Sequence, residues 1–326
     1  MAIETGVYLP SGIFKPVPPH IEKPIPFHDY SFTYQLNYFK ELQKLHKDNE
    51  LWQNETTITT TTHGLPFCIM PISDIHLGNK GTDYEAFGRY MKYVKDYPVH
   101  IVIIGDIVDN FSPTAIPSGM LSDIATPSEQ NMLARAFFKE YDEKILCSVS
   151  GNHDAGTEKS SGLDIFQYLT EDLGIPLLRG GSMLHLKVDE QKYDLMLFHN
   201  ILNFHSSFNA THAGKRALEF KDNADVIISG HRHRGGMEKT SHRAGNKPFI
   251  VACGTFKEDD DFQKNQGRIV PMQIFFPTLF FFANRHNVEA IEDINTAKEI
   301  IEGVQLAYSQ RAVASLGTLH GKGSPN

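Results

Sequence analysis

Between residues 66 and 256 the chain repeats one pattern: a short apolar run that stops on glycine, aspartate, asparagine or histidine. PFCIMPIS runs into Asp74-Ile75-His76, VHIVII into Gly105-Asp106 with Asp109 just beyond, and ILCSVS into Gly151-Asn152-His153-Asp154. YDLMLF runs into His199, and DVIIS into Gly230-His231-Arg232-His233-Arg234. Apolar runs this short, closed by turn residues, read as strands buried on both faces. Helical patterns separate most of them: YEAFGRYMKYVKDY, SEQNMLARAFFKEYDEK, GLDIFQYLTEDLG and HAGKRALEFKD. Alternating strands and helices can bury their apolar surfaces only in an α/β layered fold. SMLHLKV and YDLMLFH follow each other with no helix between them, so the sheet is expected to be mixed, or two sheets packed together.

The strand ends carry the chemistry. Open α/β sheets hold their ligands in the crevice beyond the carboxyl ends of the strands. Carboxylate, imidazole and amide oxygen together suit Mn²⁺, Zn²⁺ or iron. Six or more such donors are too many for one catalytic zinc. They suit two ions bridged by a carboxylate, about 3.5–4 Å apart, a pair that can activate water and hold a phosphoryl oxygen. Each motif alone is weak: DxH and GDxxD also make turns and helix caps, GNHD an Asx turn, and His199 a core histidine. Their order along the chain, each after its own strand, is what points to a metal centre. In an extended segment His231 and His233 would face one side, leaving Arg232 on the other; Arg234, at the Gly235-Gly236 turn, is the better substrate contact.

The remainder of the 326 residues divides into an N-terminal extension (1–65: a Pro-rich arm, then a helix over YSFTYQLNYFKELQKLHKDNELWQ), a domain over 66–295, and a C-terminal helix and tail (296–326). TTITTTT reads as a strand, QIFFPTLFFFA as a buried strand pair, VEAIEDINTAKEIIEGVQLAYSQ as a helix, and the final dozen residues as frayed. The arm and the aromatic segment are expected to cap the sheet, form a homo-oligomer contact or close the site. A net charge of −8 argues against a broad basic face for coating nucleic acid, though not against a local groove. Cys68, Cys147 and Cys253 lie in apolar runs without metal-type spacing, as in a reducing, cytoplasmic compartment. Neither a leader segment nor a membrane span is expected.

The set DIH, GDIVD, GNHD, FHN and GHRH closely resembles the calcineurin-like metallophosphoesterases over residues 66–256. The resemblance implies a four-layer α/β/β/α sandwich of two mixed sheets flanked by helices. It implies two divalent ions, Mn²⁺ first, with Zn²⁺, Fe²⁺, Mg²⁺ or Ni²⁺ as alternatives. One ion would take Asp74, His76, Asp106 and His233, the other Asp106, Asn152, His199 and His231, with Asp106 bridging. His153 would be the general acid that protonates the leaving oxygen, or would stabilise the transition state, with Asp109 orienting it by accepting from its ring.

Departures within the family narrow the substrate. Protein Ser/Thr phosphatases carry Arg after the second Asp, where this chain has Asn110. Purple acid phosphatases carry a tyrosine ligand that the block IVD does not supply. DIHLG, GDIVDNFSP and GNHD are similar to the nuclease branch typified by Mre11 and SbcD, and ADVIISGHRHR to phage-encoded members of it. The resemblance therefore implies phosphodiester cleavage in a nucleic acid or nucleotide, by in-line attack of metal-bound hydroxide. A phosphomonoesterase and a catalytically weak metal-binding scaffold are the alternatives. Phe111, Phe204, Phe208 and Phe256 are candidates for base stacking or for core packing. His205, His212 and His242 read as loop residues, and FKEDDDFQKNQG as a solvated loop or a lid.

Overall fold

The computed structural model describes residues 6–8, 14–16, 31–48, 53–110, 122–155, 165–201, 206, 208–219, 223–241, 247–258 and 273–320. Strands β1 (Gly6–Tyr8) and β2 (Phe14–Pro16) form a small antiparallel pair of their own. The other strands build two mixed sheets flanked by helices, the expected α/β/β/α sandwich. In the first sheet β4 (Phe67–Ile72), β5 (Val99–Ile104) and β6 (Ile145–Val149) run parallel. Beyond β4 the sheet continues antiparallel through β12 (Thr278–Phe281) and β13 (Val288–Ile291). The second sheet has the order β3 (Gln53–Thr60), β7 (Leu177–Val188), β8 (Gln191–Phe198), β9 (Val226–Ser229), β11 (Phe249–Ala252) and β10 (Gly236–Lys239).

Strand β7 belongs to both sheets. Leu177 and Leu178 pair with Ser148 and Val149 of β6, whereas Ser182 to Val188 pair with β8. Gly180-Gly181 lies at the crossover, and Gly181 has φ +85°, a conformation open to glycine at little cost. Bent strands of this kind are how sandwiches turn corners.

Period-two alternation then sorts side chains between layers. Leu184 and Leu186 of β7, Leu195 and Leu197 of β8, and Val226 and Ile228 of β9 point into the main core. Met183, Met196, Ile227 and Ile250 point outward and pack with Ala217 and Leu218. Ala217 ends helix α5 (His212–Ala217), which covers that outer face. Each such fully buried side chain contributes about 1.5–3 kcal/mol. Helices α2 (Tyr84–Asp96), α3 (Pro127–Glu140), α4 (Ile165–Leu173) and α6 (Ile294–His320) add Met91, Val94, Phe138, Phe166, Ala297 and Ile301 to the main core. Helix α3 starts where its sequence, TPSE, dictates: Thr126 and Glu129 form a reciprocal capping box and Pro127 opens the first turn. Helix α1 (Phe32–Asp48) precedes β3.

Three sequence expectations change. QIFFPTLFFFA makes one strand, β12, not a pair; its partners are β4 and β13, and residues 273–277 lead in without ladder bonds. VEAIEDINTAKEIIEGVQLAYSQ divides into β13 and then α6, because Asp293 accepts from Thr296 N–H (2.7 Å) and caps the helix there. The helix also runs further than expected, to His320. No helix among the described residues is long and apolar enough to cross a membrane.

Candidate metal centre

Five loops converge where the two sheets present the carboxyl ends of β4, β5, β6, β8 and β9. Backbone bonds lash them together: Asp74 N to Gly105 O (3.0 Å), His76 N to Asp106 O (3.1 Å) and Gly230 N to His199 O (3.1 Å). Asp74, His76, Asp106, His231 and His233 all have positive φ, from 52° to 72°. They make up five of the eight left-handed non-glycine residues among those described. Each such residue carries a cost, on the order of 1–3 kcal/mol, that persists only where the surroundings enforce it. Glycine is required where the loops touch. A Cβ on Gly151 would collide with the Asp106 carboxylate and amide, and one on Gly230 with the Ser73 hydroxyl.

The side chains fall into two donor sets. In the first, His233 Nε2 lies 3.2 Å from Asp74 Oδ1 and 3.1 Å from His76 Nε2. In the second, His199 Nε2 lies 3.1 Å from Asp106 Oδ2 and 3.0 Å from Asn152 Oδ1, and the His231 ring completes the group. The tautomers matter. His76 gives its Nδ1–H to Asp109 (2.7 Å) and His199 gives its own to Ile104 O (2.7 Å). Each Nε2 is therefore left for a cation or a proton, with other donor atoms of the set facing it. Asp74 Oδ1 is buried and receives no hydrogen bond. Lone pairs facing lone pairs in a dry pocket repel unless a cation or a proton sits among them, so the residues fit a pair of divalent ions.

A scan against protein families matches residues 69–235, just over half of the chain, to the family described as Calcineurin-like phosphoesterase. The chain belongs to that family. Among solved structures, the likenesses to calcineurin-like phosphoesterase YfkN from Bacillus subtilis and to the phosphoesterase Yfce from E. coli are distant. YfkN is 12% identical over 77% of this chain and 99% of its own, with a TM-score of 0.39. Yfce is 16% identical over 69% and 98%, with a TM-score of 0.35. A dimetal phosphatase from Danio rerio is 12% identical over 70% and 96%, with a TM-score of 0.39. A search of curated proteins found no match.

The electrostatics of the site pull its histidines in opposite directions. Burial opposes charge on His199, but the Asp106 carboxylate more than offsets it and pushes the ring up to about 10. Burial alone would raise Asp74, yet the His233 ring against it holds the carboxyl near 2. Burial also keeps Asp106 from ionising easily, and again the histidines win, His199 first, holding it well below the usual range. His76 and His231 go the other way: burial drives each down to about 4, with Lys257 adding to the effect at His76 and His199 at His231.

His153 sits beside both sets. Its N–H donates to Asp106 Oδ1 (2.9 Å), and its ring meets His76 edge-on, centroids 4.8 Å apart. The expected Asp109–His153 contact takes a different form. His153 Nδ1 faces the main-chain carbonyl of Asp109, because the carboxylate is already committed to His76, Asn79 and Lys257. The alternating geometry expected of His231 and His233 also changes: φ of 72° and 55° puts both in tight left-handed turns, which is how neighbours reach different donor sets. Asp106 groups with the second set only, its other oxygen being turned to His153. Arg234 is half-buried just before β10, and Arg232 is exposed, its charge adding to the downward shift of His231.

Several structural partners carried no sequence signal. The Asp154 carboxylate accepts from the backbone of Asp106 (2.8 Å), Ile107 (3.0 Å) and Gly151 (2.9 Å), clamping two ligand loops. Its position as the last letter of GNHD was the only hint. Burial, then hydrogen bonding and repulsion from Asp109, push Asp123 up to about 7. Phe256 is fully buried and stacked on Phe276, so it packs core; Phe208 is 99% exposed. His212 is half-buried at the start of α5. The FKEDDDFQKNQG loop begins inside the protein: Lys257 is 3% exposed. Phe111, Phe204, His205, His242 and residues 259–267 lie outside the described residues.

Proposed function

We propose that this metal-dependent hydrolase is a binuclear phosphodiesterase, a nuclease or a nucleotide phosphodiesterase, working with Mn²⁺. The carrying observation is the pair of adjacent donor sets, each with a carboxylate oxygen and imidazole nitrogens close together, and His153 beside them. On this reading Asp74, His76 and His233 would hold one ion and Asn152, His199 and His231 the other. Asp106, which groups with the second set, would be the carboxylate shared with the first, since β5 lies between β4 and β6 and delivers its end between their loops. Two divalent ions supply Lewis acidity toward a phosphoryl oxygen and a nucleophile at neutral pH.

The chain's own residues do the rest. His153 gives a proton to the departing alkoxide. With Nδ1 held on the Asp109 carbonyl, Nε2 is the atom from which the proton would be given. Arg234 meets a phosphate oxygen of the substrate. Phosphodiester rather than protein phosphate is favoured by Asn110, a neutral residue where protein phosphatases carry Arg. Its amide donates to the His153 carbonyl (3.2 Å) and so braces the acid's loop instead of offering charge to a phosphoprotein.

The test is a substrate panel with Mn²⁺: bis-p-nitrophenyl phosphate, p-nitrophenyl phosphate, cyclic nucleotides, and single- and double-stranded DNA and RNA. Turnover of the diesters is expected. Activity confined to p-nitrophenyl phosphate would replace this reading with a phosphomonoesterase, and none at all with both ions bound would leave a scaffold.

A further inference from the structure

Lys257 lies among the metal-site residues although a cation is the last thing a cation site attracts. Its ammonium is 2.8 Å from Asp109 Oδ1, and both side chains are almost wholly buried. That same oxygen accepts from His76 Nδ1 at 2.7 Å, while Asn79 Nδ2 donates to Oδ2 at 2.6 Å. The Lys257 backbone is equally anchored. Its N–H donates to the Thr255 hydroxyl (2.9 Å), which donates to the Asp74 carbonyl (2.8 Å), and Lys257 bridges to Thr82. The segment after β11 therefore touches one residue of the first donor set and the hydrogen-bond partner of another.

We infer that Lys257 is a positioning residue for the first metal: it locks the Asp109 carboxylate, which in turn sets the rotation and tautomer of His76. The inference rests on the binuclear reading above. Without Lys257, Asp109 would keep one donor on each oxygen, His76 on Oδ1 and Asn79 on Oδ2, and could still rotate slightly about them. The ammonium, a second and charged donor on the oxygen that faces His76, removes that freedom. His76 Nδ1 then has one place to put its proton, and Nε2 keeps its lone pair toward Asp74 and His233. Partners of this kind behind a metal-ligating histidine are worth about 10- to 100-fold in metal affinity or activity. A hydrophobic substitute would leave Asp109 as a buried charge short of a partner, so a purely structural role also predicts some loss of stability. The two roles separate by site: positioning affects one ion, whereas loosening of the fold affects both.

The experiment is calorimetric titration of Mn²⁺ into the full chain stripped with chelator, for wild type, Lys257→Met and Lys257→Arg. Wild type should bind two ions. Lys257→Met should lose about 10- to 100-fold at one site and little at the other, and Lys257→Arg, which keeps the charge, should retain both. In the stripped protein, imidazole ¹⁵N shifts should show His76 as one Nδ1–H tautomer in wild type and a mixture in Lys257→Met. If Lys257→Met does not fold, Lys257→Gln, one atom shorter, keeps a polar donor without the charge and serves the same comparison. Unchanged affinities, or two sites weakening together with the melting temperature, overturn the positioning role. A wild type that binds fewer than two ions overturns the binuclear reading itself, and this inference with it.

Discussion

Five of the proposed ligands adopt left-handed backbone, and this separates what a side chain does from where its loop puts it. Asp74, His76, Asp106, His231 and His233 each bend the chain immediately after a strand, so that a buried ladder ends with a donor pointing across the crevice. His153 is different. It lies one residue beyond Asn152, bonded through its backbone to Asp106 and through its ring to a carbonyl, with an edge-on ring contact to His76. Removing its imidazole leaves both donor sets whole. His153→Ala is therefore expected to lower kcat by about 10²- to 10⁴-fold while metal content stays at the wild-type level, measured by plasma emission on the same sample. Near-wild-type turnover would end the proton-donor role. The residue identities were legible because each sits within a few positions of an apolar run. The form of the Asp109–His153 contact was not, because a sequence does not say which oxygen of an aspartate is already taken.

At the scale of elements, the decisive strand is β7, which leaves one sheet and enters the other at Gly180-Gly181. Its second half pairs with β8 and aligns His185 directly with Asp194, ring nitrogen to carboxylate at 2.7 Å, with Glu55 of β3 at 3.5 Å on the other side. The Asp194 hydrogen bond raises the His185 pKa above its ordinary value, against a smaller opposing effect of burial. A folded-state pKa above the unfolded one means that the native hairpin binds the proton more tightly. The stabilisation is complete below the unfolded value, about 6.5, and disappears as pH rises through the folded value. Asp194→Asn should thus cost more stability at pH ~5.5 than at pH ~9, read as urea midpoints at the two pH values. An equal loss at both would mean that the pair contributes nothing through charge. Alternation predicted that β7 and β8 exist and are adjacent. The crossover was hidden, since two glycines in a strand signal a bend without saying which sheet receives the far end. Likewise Asp293 as a cap, dividing β13 from α6, was overlooked inside a run whose apolar spacing suits a helix.

For the whole molecule, cations held by these donor sets would also stabilise the fold. Asp74, Asp106, Asp109 and Asp154 are all under 5% exposed and lie in one region of the fold, where Asp106 repels both Asp74 and Asp154. Cations bound there bind the native state and not the unfolded chain. Saturating Mn²⁺ at a hundredfold excess over Kd should add about 2.7 kcal/mol for one such site. Chelator should lower the melting temperature in calorimetry and Mn²⁺ should restore it; a melting temperature indifferent to both would count against cation sites. The three cysteines take no part: all are free and buried, and burial pushes the Cys68 and Cys147 thiols up to about 12.

The amino-acid sequence by itself determined the α/β layering, the strand ends as the place of the site, and the donor types, because these depend on residues adjacent in the chain. Apolar runs fix the strands, and the polar residue that ends each run fixes a donor. The tertiary structure decided which donors share a set, which oxygen each N–H donates to, and that Lys257 stands behind Asp109, 148 residues away in sequence. Those depend on sheet order, on the crossover in β7 and on left-handed turns. All of these act between segments far apart in the chain, where local spacing holds no information.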